Sequence, residues 1–571
     1  MMKFELKNWR MGFRSACFFS LLVAGAELPV AHSLEVGVSA VDITPYPSAS
    51  HDNPRRPGYE SEFGRIYLGG YGPYVPVFGS DRWARGVHDP VWARAIAVRD
   101  QGNTVIMIST DLPGLVWKYI NPARRELSKK FNIPVENIII ASTHNHSGPD
   151  SAGYWVTLLR GHNGKYNQRL IQWLIESGTQ AIRSLEPAQI KTVTTDHLAC
   201  IDKDTQDLKR EKDCRFPANK AEYANPERAV LFDTPIIQVD KRDPQVLNTK
   251  ITIQHYTRPG SGTTIGTLIN WHNHPDTLGM KGDETFISSD FPHYLREFVE
   301  KKLGGKAVYF SGTVGCQIGP GAPVPLWSAE GTPVYTQQRT GTGKLARAFV
   351  EARDWPLIRS IGYEIGNEVV QAIQNSAGPY ALTAQVQVKN RSVDIAPTNF
   401  LHWLATGSVW RFDVEPEDQM VWYWGRCMGR FGCVRSDVAL VQIADLSILT
   451  GPGEIDPVYL YGRNESTAVW KRGKKTWTQH FKSYPSIAPH LKGPHVAVFG
   501  QAQNYLSYQF PYSDFVGALN LKHPNHYEDM VTVNKHFGDD VGNVWHELVG
   551  SEYRYNSRRI LPAREQGHAH P

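Results

Sequence analysis

Two short segments of this 571-residue chain pair histidines at a spacing that suits metal chemistry. They are Ser142-Thr143-His144-Asn145-His146-Ser147-Gly148-Pro149 and Asn270-Trp271-His272-Asn273-His274-Pro275. In an extended chain, residues two apart point to the same face, so each pair can address one site. Each pair follows an apolar run, and Gly148-Pro149 then turns the first segment away. Neutral imidazole is a common zinc ligand, and zinc sites draw their ligands from separate elements. Two such strand ends in one chain therefore carry more weight than either alone.

The elements that must position these residues can be read from hydrophobic patterning. Val105-Ile106-Met107-Ile108 precedes Ser109-Thr110-Asp111, and Asn137-Ile138-Ile139-Ile140 precedes Ser142-Thr143-His144. Thr264 to Ile269 leads into Asn270-Trp271-His272, Ala307 to Phe310 into a Gly-containing turn, and Leu446 to Leu449 into Gly451-Pro452-Gly453-Glu454. Continuous apolar runs of this length suit strands buried on both faces. Between them, residues 121–131, 166–184, 291–303 and 343–375 read as helices. The alternation predicts an α/β fold, a mixed β-sheet core flanked by helices, with catalytic residues at the carboxyl ends of strands. Residues 201–230 read as a surface excursion. The aromatic segment 400–435, with Trp403, Trp410, Trp422, Tyr423 and Trp424, could wall an apolar cleft or simply pack.

Hydrophobic residues make up 41% of the chain and charged residues 20%, ordinary values for a soluble globular protein. At the N-terminus, Lys3, Lys7, Arg10 and Arg14 precede the apolar stretch Ala16–Ala26, and Ala31-His32-Ser33 offers small residues to a signal peptidase. Residues 1–33 are thus expected to be a signal peptide, and 34–571 a single large catalytic domain, exported to the periplasm or secreted. Without residues 1–33 the chain has 57 basic against 54 acidic residues, so nothing points to nucleic acid. Cys200 with Cys214 and Cys427 with Cys433 are natural disulfide candidates after export, leaving Cys316 free. The absence of Cys-x-x-Cys argues against a thiolate zinc site.

The sequence resembles the neutral/alkaline (non-lysosomal) ceramidases in their N-terminal catalytic domain. Residues 141–149 are similar to that family's Ser-x-Thr-His-x-His-Ser-Gly-Pro hallmark, and 86–95 to its Gly-x-His-x-x-x-x-Ala-Arg-Ala segment. Ile269-Asn270-Trp271 with His274-Pro275, Ile287-Ser288-Ser289-Asp290, Gly451-Pro452-Gly453-Glu454, Asn504 to Tyr508 and His526-Tyr527-Glu528 resemble further family segments. The resemblance implies one zinc ion held by His144, His274, Glu454 and Tyr508, with Tyr505 and Tyr512 as substitutes for Tyr508. It places His146 and Tyr527 beside the metal as catalytic groups, and gives Ser288 a catalytic, substrate-contacting or loop-shaping role. His88 and Asp111 are candidates for orienting ligands. Three departures bear on substrate choice: Phe291-Pro292-His293 replaces Asn-Lys-Gly, Gly279 to Asp283 replaces an Asn-rich stretch, and Gly315-Cys316 replaces Gly-Asp. No separate C-terminal β-sandwich domain is expected.

These readings converge on a zinc-dependent amidohydrolase cleaving the N-acyl amide bond of ceramide or a related N-acyl lipid, with transient contact at a membrane surface. Two rivals remain open. One is a zinc hydrolase of the same design acting on a different amide or ester, which a substrate panel would separate. The other is an exported binding protein without turnover, recognised by ligand or metal binding without product.

Overall fold

The apolar runs become strands and assemble into three sheets, each containing one parallel pair among antiparallel neighbours. The computed structural model describes residues 34–48, 60–71, 82–155, 163–197, 199–201, 208–210, 238–239, 248–278, 285–315, 317–318, 324–339, 343, 345–350, 354–399, 434–472, 475–517, 520 and 527–555. The expected signal peptide, the side chains of Cys200, Cys214, Cys316, Cys427 and Cys433, nearly all of the 201–230 excursion, residues 279–283, His526 and the aromatic residues of 400–433 lie outside the described residues, whereas Phe291-Pro292-His293 and Gly315 lie within them.

The first sheet runs in the order Ile138–Ser142, Asn103–Thr110, Trp92–Asp100, Glu35–Asp42, Glu186–Pro187. Only its first two strands are parallel. The second is ordered Lys306–Ser311, Thr264–Trp271, Lys250–Thr257, Gln189–Asp196, again with only the first two parallel. The third is Gln387–Ile395, Val434–Ile443, Leu446–Thr450, His495–Phe499, its parallel pair being the last two. Parallel neighbours need a crossover connection, usually a helix. Helix α1 (Trp117–Phe131) supplies it in the first sheet, and α3 (Phe291–Leu303) in the second, with α2 (Gly164–Arg183) lying between them in sequence.

The three sheets share one apolar core. Val98 and Met107 of the first, Leu268 and Phe310 of the second, and Val441 and Phe499 of the third are all buried in the same cluster. Phe310 and Phe499 stack with centroids 3.9 Å apart, closing the seam between the second and third sheets. Asn270 pins that seam: its Nδ2 donates to the carbonyls of Phe310 (2.9 Å) and Val498 (2.7 Å), and its Oδ1 accepts from the Val498 amide at 3.0 Å. A buried amide with both ends satisfied fixes relative strand position, because slippage would strand its polar atoms without partners. The outer faces are covered by helices. Leu127 of α1 and Leu170 and Leu174 of α2 join Ile106 and Ile108. Leu295 and Val299 of α3 meet Ile269 and Tyr309. Val544 and Trp545 of the helix Phe537–Leu548 meet Val438 and Leu449. Each such buried side chain contributes roughly 1.5–3 kcal/mol. The expected α/β class is therefore found.

Helix boundaries differ from the sequence reading by one or two residues at α2, which runs Gly164–Arg183 against the expected 166–184, and by more in two places. α1 begins at Trp117, ahead of 121. The helix expected over 343–375 is confined to α4, Trp355–Asn375, with short strands Leu345–Arg347 and Phe349–Val350 before it. The physical reason is the stop-start signal at 354–356: the Asp354 carboxylate accepts from the Trp355 amide, and Pro356 belongs in a first turn, where its missing N–H costs nothing. Among the described residues no helix is long and apolar enough to cross a membrane.

Candidate metal centre

All three parallel pairs end at the same place, and each delivers one polar group plus a partner that holds or orients it. After Ile138–Ser142 the chain places His144 in a left-handed conformation, φ 62°, with its amide on the Leu112 carbonyl at 3.0 Å. The neighbouring strand, Asn103–Thr110, continues to Pro113, whose carbonyl accepts a hydrogen bond from His144 Nδ1. In the second pair, Thr264–Trp271 leads to His274, and Lys306–Ser311 leads to Gln317, whose carbonyl accepts from His274 Nδ1 at 2.9 Å. In the third, Leu446–Thr450 leads to Glu454, and His495–Phe499 leads to Tyr505, whose hydroxyl donates to Glu454 Oε1 at 2.7 Å.

The consequence is a cluster of acceptors. His144 and His274 spend their Nδ1 protons on carbonyls, which leaves their Nε2 lone pairs facing inward. His144 Nε2 lies 3.4 Å and His274 Nε2 3.0 Å from Glu454 Oε2, and His146 Nε2 lies 3.2 Å from His144 Nε2. The ligand nitrogens of His144, His146 and His274 all fall within 4.8 Å of one another, and all three residues are buried. The Nε2 lone pairs of His144 and His274 and the Glu454 Oε2 converge as acceptors, and repel unless a cation or proton sits among them. A tetrahedral zinc with bonds of about 2.0–2.1 Å sets its ligands about 3.3 Å apart, close to the 3.4, 3.0 and 3.2 Å separations, while the three histidine nitrogens together span up to 4.8 Å. The donor set therefore fits a metal ion, and the cluster could hold one.

The electrostatics favour positive charge between His274 and Glu454. Burial works against charge on Glu454, but His144 and His274 beside it outweigh this and hold its carboxyl well below the ordinary range. Burial likewise opposes a proton on His274, yet its contact with Glu454 raises its pKa. His146 is driven well below 6.5 by burial, then by His144 and His274. Its ring is packed edge-on against Tyr71 at 4.6 Å, and its amide donates to the Pro275 carbonyl at 2.9 Å, so the two histidine segments are tied directly together. Gly70 makes this packing possible: at φ +94° a Cβ there would lie 2.4 Å from His146 Cγ.

Not every predicted residue joins the cluster. His272 turns aside; its Nδ1 accepts from the Thr313 amide at 2.9 Å, and burial lowers its pKa to about 3. Tyr508 is buried, and its short strand pairs backbone-to-backbone with Glu454, while its ring lies 6.0 Å from that of exposed Tyr527. Tyr505 is the tyrosine whose hydroxyl meets Glu454, and its ring stacks on His144 at 5.4 Å. Tyr512 stacks on His536 at 4.4 Å. Ser288 is fully buried; its hydroxyl donates to Asp89 Oδ2 at 2.6 Å and accepts from the Asp290 amide at 2.9 Å. Its backbone instead braces the histidine loop, accepting from Asn145 Nδ2 at 2.6 Å and donating to the Ser147 carbonyl at 3.1 Å. Asp111 forms a two-point pair with buried Arg296 (2.8 and 2.7 Å), and His88 bonds Asp89 and stacks on Trp355 at 3.5 Å. The groups that orient the histidines are thus backbone carbonyls of Pro113 and Gln317, which leave no side-chain signature in a sequence.

No family model matches the chain. Its fold is shared with solved ceramidase structures. Neutral ceramidase from Pseudomonas aeruginosa superposes with a TM-score of 0.56 at 14% identity, over 93% of this chain and 77% of that one. A ceramidase complexed with C2 gives a TM-score of 0.55 at 13% identity, over 94% and 79% of the two chains.

Proposed function

We propose that this protein is an exported zinc-dependent amidohydrolase that cleaves the N-acyl amide bond of ceramide or a related N-acyl lipid. The observation that supports this most is the convergence of His144, His146, His274 and Glu454 at the shared end of three parallel strand pairs. The likeness of the fold to ceramidase structures supports the choice of an N-acyl lipid as substrate.

His144, His274 and Glu454 would hold the ion, with the remaining position falling to His146 or to a tyrosine of the 505–508 segment. A bound zinc supplies Lewis acidity and lowers the pKa of water toward neutrality. The protein's own groups do the rest. Pro113 and Gln317 fix the tautomers of His144 and His274, so that both present Nε2. Tyr505 holds Glu454 in place and, through its ring, the plane of His144. If a tyrosine completes the ligand set, His146, kept neutral near pH 7 by its surroundings, is in the form that accepts a proton from attacking water and passes it to the departing amine. Burial of the whole set limits competing bulk water, which strengthens each electrostatic contact.

The test is zinc content together with hydrolysis of a fluorescent ceramide and of matched N-acyl amides and esters by the purified protein. Near-stoichiometric zinc with chelator-sensitive amide cleavage is expected. Zinc with cleavage of esters alone would overturn the amidase reading, and no zinc after reconstitution would overturn the metal site.

A further inference from the structure

Arg82 stands beside the metal centre without a carboxylate. Its Nη1 donates to the carbonyls of Gly69 (2.7 Å) and His146 (3.1 Å), and its Nη2 donates to the same His146 carbonyl at 3.1 Å. Its guanidinium carbon lies 4.9 Å from the centroid of the Tyr71 ring, which in turn packs against the His146 imidazole. Arg82 is part-buried, whereas the buried arginines among the described residues are each matched: Arg296 with Asp111, Arg463 with Asp514, Arg124 with Asp437 and Arg94 with Glu300. Arg82 has no ion pair among the described residues, and burial, opposed by Tyr71, lowers its pKa to about 10. Desolvating a cation without a counter-charge is unfavourable, so an isolated one persists where something else supplies the anion.

The unused part of the group says which anion. A guanidinium offers its N–H donors in a planar fork. The Nη1–Nη2 end is taken by His146 and Gly69. The Nε–Nη2 side makes no hydrogen bond through Nε among the described residues, and Nε is not among the atoms sealed from water. Such an edge matches the two oxygens of a planar carboxylate.

We infer that Arg82 recognises a carboxylate carried by the substrate close to its scissile amide, which narrows the N-acyl lipids to acidic ones such as N-acyl amino acids. The inference rests on the amidohydrolase reading for its turnover arm, whereas its binding arm stands independently of it.

The full-length chain is compared as wild type, Arg82→Gln and Arg82→Lys. Zinc-loaded protein is assayed for decanoate release from N-decanoylglycine and from uncharged N-decanoylglycinamide. Wild type is expected to favour the acid in kcat/KM by about tenfold to a hundredfold, the range for hydrogen bonds to charged groups. Arg82→Gln should erase that preference, chiefly through KM, and Arg82→Lys, which keeps the charge but not the fork, should retain part of it. Calorimetry on metal-free protein should show N-decanoylglycine bound with the same loss in Arg82→Gln. A role confined to holding the His146 loop would lower turnover of both substrates equally and leave their ratio unchanged. That unchanged ratio, or a wild type without preference in turnover and binding, would overturn the inference. Absence of turnover with Arg82-dependent binding intact would instead remove the hydrolase reading and leave the anion site standing.

Discussion

The two His-x-His segments look equivalent in sequence and are not equivalent in space. After Ser142 both histidines reach the cluster; after Trp271 only His274 does. The first segment turns sharply at His144, with φ 62°, so its two rings approach from different directions and still meet at 3.2 Å. In the second, His272 is captured by the Thr313 amide on the turn after Lys306–Ser311, while His274, two residues on, finds the Gln317 carbonyl. The spacing of two guarantees a shared face only while the chain stays extended. Beyond the strand end, whichever backbone group meets each ring decides its fate: a carbonyl at Nδ1 frees Nε2 for a cation, and an amide at Nδ1 makes a structural histidine.

That distinction can be pressed experimentally. The largest expected effect is from His144→Ala or His274→Ala, each of which should remove bound zinc and reduce amide hydrolysis to background, read by metal analysis and turnover. Gly70→Ala should come next, because the new methyl collides with His146 and forces a positive φ; destabilisation of at least about 1 kcal/mol is expected in urea unfolding, with turnover falling further than stability explains. His272→Ala should keep zinc while costing about 1–3 kcal/mol, since the Thr313 amide loses its buried acceptor. Ser288→Ala keeps the backbone brace on the histidine loop and takes a buried hydroxyl only from Asp89 and the Asp290 amide, so it should cost about 1–3 kcal/mol in urea unfolding while zinc binding and most turnover persist. A complete loss of turnover with zinc retained would instead give Ser288 a direct chemical role.

The smallest effect concerns a histidine remote from the site. His255 is held between Tyr380 and Thr264, and burial, then Lys191, lowers its pKa from 6.5 to about 4. The unfolded chain therefore binds a proton that the folded one does not between those values. Stability from this group is fully present above pH 6.5 and is lost as pH falls toward 4. His255→Gln should flatten that part of the stability profile; an unchanged slope would remove His255 as its source.

Much of this organisation was legible because it rests on side chains. The runs at 105–108, 138–140, 264–269, 307–310 and 446–449 are strands, buried along most of their length, as continuous apolar sequence requires. His144, His274 and Glu454 were visible as polar residues just past such runs. What sequence could not carry is the backbone: Pro113 and Gln317 act through carbonyls, and His272 is withdrawn by an amide. The choice between Tyr505 and Tyr508 depends on how the segment after Phe499 is threaded. Gln503 sets that, with its Oε1 accepting from the Ile140 amide at 3.2 Å and its Nε2 donating to the Ile138 carbonyl at 3.0 Å. Arg82 escaped notice because a lone arginine has no motif; its meaning comes from the carboxylate it lacks.

The most direct test is equilibrium zinc titration of the metal-free wild type beside His272→Ala and His274→Ala. The account predicts that wild type and His272→Ala each take up a single zinc with similar affinity, while His274→Ala takes up none under the same conditions. Equal loss in both variants, or zinc uptake undiminished in His274→Ala, would contradict it.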